Sequence, residues 1–130
     1  MLKKTITYTD FNGNERTEDF YFNLTERELT KLELTTPGGF EGMVKRIVNA
    51  KSQIQLIELF EQLIKMSYGV KDADGIHFVK NEKVLEEFMS TQAYSDLYME
   101  LVTDADKAAA FFNGIVPAKK AATNNAIKMN

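Results

Sequence analysis

Leu2-Lys3-Lys4-Thr5-Ile6-Thr7-Tyr8-Thr9-Asp10-Phe11-Asn12-Gly13 opens the chain, and Thr17-Glu18-Asp19-Phe20-Tyr21-Phe22 follows a few residues later. Both runs are rich in β-branched and aromatic residues, and a turn signal separates them, so residues 2–22 read as a β-hairpin. Two loops are possible. A two-residue Asn12-Gly13 turn would pair Tyr8 with Thr17 and Ile6 with Asp19, which mixes apolar with polar positions on each face. A three-residue loop, Phe11 to Gly13, pairs Ile6 with Glu18, Lys4 with Phe20 and Leu2 with Phe22. Leu2, Ile6, Tyr8, Phe20 and Phe22 then share one face. Register follows the face that can be buried, so the three-residue loop is expected, built as a type I turn with Gly13 in the left-handed region. A lone ribbon is marginal in water. Its apolar face therefore has to be covered by helices or by another subunit.

Downstream of the ribbon the period changes from two to that of a helix. Thr25 and Glu28 stand at capping-box spacing, with Leu24 and Leu29 at the hydrophobic-staple positions. This first helix should stop before Pro37-Gly38-Gly39. Phe40, Met43, Val44, Ile47 and Val48 form one apolar stripe of a second helix. Ser52, with Gln55, is expected to cap a third. That helix carries Ile54, Leu56, Ile57, Leu59, Phe60, Leu63, Ile64, Met66 and Tyr68, too many for one narrow stripe. Helix 52–68 is thus expected at the centre, packed on two or more neighbours. Gly69 is its expected stop, with Val70 folding back towards Ile64.

Asp72-Ala73-Asp74-Gly75 reads as a turn into the short extended piece Ile76-His77-Phe78-Val79. Three short helices follow. Asn81 precedes Val84, Leu85, Phe88 and Met89. Ser90 or Thr91 caps a helix with Tyr94, Leu97, Tyr98 and Leu101 inward. Thr103 is expected to cap the last, with Asp104 and Asp106 at its positive end and Ala105, Ala108, Ala109, Phe112, Ile115 and Val116 at helical spacing. Residues 118–130 show no apolar period and read as a disordered tail. The fold class is α+β: an N-terminal hairpin, 2–22, then a mainly helical body, 25–117, of about six short helices in a single domain, 1–117.

Composition narrows the functions. The chain has 130 residues, no Cys, one His and a net charge of −3. Disulfides and thiolate metal sites are excluded, and a lone His cannot build a His-based metal cluster. The acidic balance disfavours nucleic acid as a partner. No apolar run has the ~20 residues of a membrane span, so no membrane role is expected. Asp72-Ala73-Asp74-Gly75 fails as a calcium loop in either frame, because the required ligand positions fall on Ile76 and Lys83 or start at Val70. His77 has no thiol or nucleophile elbow to activate, and a half-buried strand histidine with a backbone partner is expected. Gly38-Gly39 lacks the spacing of a phosphate loop and reads as a helix-to-helix turn. Glu26, Glu28 and Glu33 fall on helix exteriors as solvated charges. No catalytic set emerges, so neither enzymatic activity nor a cofactor is expected.

Phe111 is the residue most open to a functional reading. Phe112 fits the stripe of the last helix, and its neighbour Phe111 lies beside it. A wide core face explains Phe111, and the other reading makes it, with Ile115, an exposed contact for a partner.

Several segments together resemble the tail assembly chaperones of long-tailed bacteriophages, of the kind found in siphophages and prophages of Gram-positive bacteria. They are Ile6-Thr7-Tyr8 with Asn12-Gly13, Phe20-Tyr21-Phe22-Asn23-Leu24-Thr25, Gly38-Gly39-Phe40, Tyr68-Gly69-Val70, Asp74-Gly75 with Phe78, Ala93-Tyr94-Ser95-Asp96-Leu97, and Ala108 to Phe112 with Asn113-Gly114-Ile115-Val116-Pro117. Their order and spacing over residues 1–117 carry the resemblance. It implies a non-enzymatic protein of the host cell cytoplasm. Such a protein binds the tape measure protein, keeps it soluble, helps recruit tail tube subunits, and is absent from the mature virion. A homo-oligomer is a further partner to expect. The competing reading is a head–tail completion or tail terminator protein that forms a ring in the virion. Under the chaperone reading the partner contact is expected at Phe111, Phe112, Ile115 and Val116 of the last helix and at Tyr8, Phe20 and Phe22 of the hairpin.

Overall fold

The computed structural model describes residues 1–49 and 53–117. Strand β1 (Leu2–Thr9) and strand β2 (Glu15–Phe22) form the N-terminal hairpin. Helices α1 (Glu26–Thr35), α2 (Gly39–Val48) and α3 (Gln53–Ser67) follow. Two short strands come next, β3 (Tyr68–Lys71) and β4 (Phe78–Val79). Helices α4 (Glu82–Met89), α5 (Gln92–Thr103) and α6 (Ala105–Ile115) complete the described chain. The fold is α+β, a hairpin followed by a mainly helical body, as the periodicity predicts.

The hairpin register is that of the three-residue loop. Leu2 pairs with Phe22, Lys4 with Phe20, Ile6 with Glu18 and Tyr8 with Arg16. The amide of Gly13 donates to the Asp10 carbonyl at 3.0 Å, closing the type I turn, and Gly13 takes φ +84°. The Asp10 carboxylate accepts the amides of Asn12 and Asn14 and pairs with Arg16 at 2.7 Å. Arg16 and these amides hold the Asp10 carboxyl below its ordinary pKa. Ile6, Tyr8 and Phe22 are buried, while Thr5 and Thr7 stay exposed on the other face.

The hairpin is not left as a two-stranded ribbon. Strand β3 adds to β2, pairing Tyr21 with Gly69 and Phe22 with Tyr68, and β4 adds to β3. The result is a four-stranded sheet in the order β1-β2-β3-β4. This corrects the expectation for Gly69. It does not end α3 in a left-handed cap with Val70 folded back. It lies inside a strand, and Val70 is exposed. Glycine is needed at position 69 for close approach, since a Cβ there would lie 2.7 Å from the Phe78 ring.

Local capping signals hold well. Thr25 and Glu28 form the reciprocal capping box, and Leu24 and Leu29 are both buried. Asn81 caps α4 and Thr91 caps α5. The cap of α6 is Asp104, whose carboxylate accepts the amides of Asp106 and Lys107. The predicted cap, Thr103, is instead the last residue of α5, and its hydroxyl donates to the Met99 carbonyl. Gly38 and Gly39 both take positive φ in the turn between α1 and α2, as a helix-to-helix connection requires. The expected cap Ser52, the tail 118–130, and the side chains of Phe40, Ile47, Val48 and Leu56 lie outside what is described.

Helix α3 contributes Phe60, Leu63 and Ile64 to the core, all fully buried, and it packs against α5 and α6. It is not apolar all round. Ile54, Gln55, Glu58, Gln62 and Lys65 are exposed, so one side of the helix faces solvent. The excess of apolar residues in the sequence is absorbed by a wide buried face and by the exposed Ile54. Leu63→Ala is expected to cost ~2–5 kcal/mol by denaturant unfolding, because a fully buried side chain leaves a cavity among α3, α5 and α6.

Candidate functional site

The residues expected at a partner contact are part of the protein's own core. Phe22 and Ile115 are fully buried, and Phe112, Val116, Tyr8 and Phe20 are buried or nearly so. Phe111 is only 3% exposed and meets the rings of Phe22 and Phe60 at centroid distances of 5.3 and 6.3 Å. The wide-core-face reading of Phe111 therefore describes the folded chain. Two adjacent phenylalanines can both be inward because α6 has partners on two sides, with α5 and α2 each packed against it. Phe111→Asp is expected to abolish cooperative folding, by burying a carboxylate that has no partner among those rings. Loss of the thermal unfolding transition in circular dichroism would show it.

The polar side chains that the fold does bring together form a clasp. The Lys80 ammonium donates to both carboxylate oxygens of Glu28, at 2.7 and 2.8 Å. It also donates to the carbonyls of Asn23 at 2.8 Å and Met66 at 3.1 Å. One side chain thus ties the end of the hairpin, the start of α1, the C-terminal end of α3 and the approach to α4. Met66 O is one of the last carbonyls of α3, where a cation is favourable. Glu28 is consequently not the solvated exterior charge expected from sequence. Its burial alone would raise the carboxyl pKa, but the Lys80 ammonium and the Thr25 donors outweigh that and hold it below the ordinary value of 4.5. Nothing in the spacing of Glu28 and Lys80 announces the pair, because they are far apart in the chain.

His77 also departs from expectation. Its side chain is exposed and it precedes β4 instead of lying within it. Its amide donates to Asp72 Oδ1, and its ring Nδ1 lies 2.8 Å from Asp72 Oδ2. The imidazole and these amides keep the Asp72 carboxyl below its usual pKa. This arrangement braces a turn in which Gly75 takes φ +73°, and it presents no nucleophile or second base. Among the described residues no group of His, Asp and Glu is arranged to hold a metal ion, and no helix is long and apolar enough to cross a membrane.

The surface offers two other kinds of feature. Clefts run along the open side of α3. One of about 430 Å³ is lined by Glu58, Glu61, Gln62, Lys65 and Met66. Another of about 370 Å³ lies towards α1, lined by Arg27, Glu28, Lys31, Leu32, Thr35, Gln62 and Met66. Gln62 and Met66 border both. Separately, large apolar side chains stand exposed at Leu34 on α1, at Val70, Ile76 and Val79 on the β3–β4 hairpin, at Met99 on α5, and at Met1 and Phe11 beyond the ends of β1.

A family model described as phage tail assembly chaperone matches residues 1–127. The chain belongs to that family. The match runs past Pro117 into the segment that the sequence pattern leaves without an apolar period. A search of curated proteins and a search of solved structures each return no match.

The clasp can be tested through its pH dependence. A carboxyl with a folded-state pKa below 4.5 stabilises the fold above that value and loses its contribution as the pH falls through the folded pKa. Lys80→Met should cost about 1–3 kcal/mol at pH 7, less than breaking a fully buried pair because both partners keep some solvent contact. The gap between wild type and variant in urea melts should be level from pH 6 to 8 and narrow below 4.5.

Proposed function

We propose that this tail assembly chaperone acts on the tape measure protein. It holds amphipathic helical segments of that long chain in solution and helps bring tail tube subunits to it, without catalysis. The single observation that carries the reading is membership of the tail assembly chaperone family over residues 1–127. The resemblance of the chain to siphophage and prophage chaperones adds the identity of the client. A tape measure protein must stay unaggregated until the tube forms around it. A partner that shields apolar helix faces meets that physical need.

The buried positions of Phe111, Phe112, Ile115, Val116, Tyr8 and Phe22, and the partly buried position of Phe20 against them, move the proposed contact away from those side chains. The clefts along α3 suit a helix better. Their floor includes Leu32 and Met66, and Arg27, Lys31, Glu58, Glu61 and Lys65 give charged rims of both signs. A capture site of this kind covers an apolar stripe while leaving the polar face of the client in water. The protein acts in the host cytoplasm before the particle is complete and is not retained in it.

Co-expression with the tape measure protein tests the reading. The chaperone should raise the soluble fraction of its client and co-purify with it. Gln62 is exposed and borders both clefts, so Gln62→Trp should fill them, leave the melting temperature nearly unchanged and reduce co-purification. A client that is neither bound nor made more soluble by the wild-type chain overturns the proposal. Finding the protein at stoichiometric amounts in purified virions would favour a structural component instead.

A further inference from the structure

Strand β1 is an edge strand of eight residues, and among the described residues no other strand pairs with its outer side. It contains no proline and its pairing with β2 runs without a bulge from Leu2 to Thr9. Such an edge offers a row of unpaired backbone groups to another strand. Which groups face outward follows from the turn. The Asp10 amide donates to the Asn14 carbonyl at 2.8 Å, and bonded pairs recur at every second residue of an antiparallel ladder. Leu2, Lys4, Ile6 and Tyr8 therefore bond to β2. The amides and carbonyls of Lys3, Thr5, Thr7 and Thr9 point away from it. The same alternation places the odd-numbered residues of β2 towards β3, and Asn23 donates to the Ser67 carbonyl at 2.8 Å as that requires.

We propose that β1 pairs antiparallel with β1 of a second copy, about a two-fold axis at Ile6, joining the two sheets edge to edge. The commitment to a second copy comes from what this register matches. The outward groups of one strand must meet outward groups of the other, and an axis at Ile6 sets Thr5 opposite Thr7 and Lys3 opposite Thr9. It also brings Met1 towards the turn of the second copy that carries Phe11. Met1 is 56% exposed and Phe11 is 79% exposed, so an exposed large apolar side chain lies beyond each end of this strand. The two-fold brings them together twice, and a thioether beside an aromatic ring is a favourable contact. The charges agree as well. Lys3 comes level with Thr9 of the second copy, whose neighbour on β2 is Glu15. Helix α5 lies under β1, with Lys4 bonded to Glu100 at 2.9 Å, and it carries the exposed Met99 next to that glutamate. The interface is isologous and closes on itself. Being built on one strand pair, it is a weak association with a Kd in the range of ~1–100 µM.

This inference rests on the sheet edge and not on the identity of the client, so its test uses the wild-type chain alone. Sedimentation velocity across ~1–200 µM should show a monomer converting to a dimer. Amide exchange followed by NMR above the Kd should protect Thr5 and Thr7, whose outward amides exchange freely in a monomer. Thr7→Pro removes one outward donor while leaving the bonds to β2 in place, as proline on an edge allows. It should weaken the dimer at least ~10-fold and keep the circular dichroism of the wild type. Phe11→Ser, at an exposed loop position, should weaken it without touching the strand and serves if the proline variant fails to fold. A chain that stays monomeric throughout the range overturns the proposal. So does a dimer whose Thr5 and Thr7 amides exchange freely, or one that Phe11→Ser leaves intact.

Discussion

Phe22 has to be buried, and the ribbon that carries it cannot bury it. It ends β2 with no exposed surface, and the aromatic rings around it come from three other parts of the chain. Tyr68 of β3 stands 5.6 Å away, Phe88 of α4 5.9 Å and Phe111 of α6 5.3 Å, by ring centroids. Tyr68 and Phe88 in turn stack at 4.2 Å. Rings in tilted and edge-on contact add to the burial of their area, and together these fix how the sheet meets the helices. The strand that supplies Tyr68 also pairs with β2 at Phe22 itself, so sheet extension and core formation are one event.

The Lys80 clasp works at the boundary of this cluster. Asn23, which directly follows Phe22, gives Lys80 its carbonyl, and Glu28 gives its carboxylate. The cation therefore sits where the chain leaves the sheet and enters α1. The hydrophobic cluster is non-directional, whereas the clasp has defined donors and acceptors. It joins the first turn of α1 to the end of the hairpin and to the last turn of α3, and Glu28 also lines the cleft beside α1. A partly buried polar contact thus borders one of the surface clefts.

Among the described residues no group of His, Asp and Glu is arranged to hold a metal ion, and the surface offers clefts, exposed apolar side chains and an open sheet edge. Phe22, Phe60, Phe88, Phe111 and Phe112, which draw attention in a sequence as anchors for partners, lie in the core, whereas Phe11 stays exposed. What remains on the surface includes clefts lined by charges of both signs and exposed apolar side chains.

Local signals were decided by the sequence itself. The hairpin register could be read because a one-residue slip would turn Ile6, Tyr8 and Phe22 out to water, and the turn at Asp10 to Gly13 fits one alternative. The Thr25–Glu28 box and the Asn81 cap could be read because they satisfy amides three residues away. Everything that depends on distant partners waited for the tertiary structure. Gly69 has the look of a helix stop, and only the proximity of Phe78 and the free edge of β2 make it a strand residue. Phe111 could be inward or outward by spacing, and the ring of Phe22, brought from the other end of the described chain, settles it inward. Glu28 carries a solvated-charge pattern until Lys80 reaches it from 52 residues away. Periodicity records which side of an element is apolar. It cannot record what that side will meet, because the contacts that bury a side chain belong to the fold and not to its neighbours in sequence.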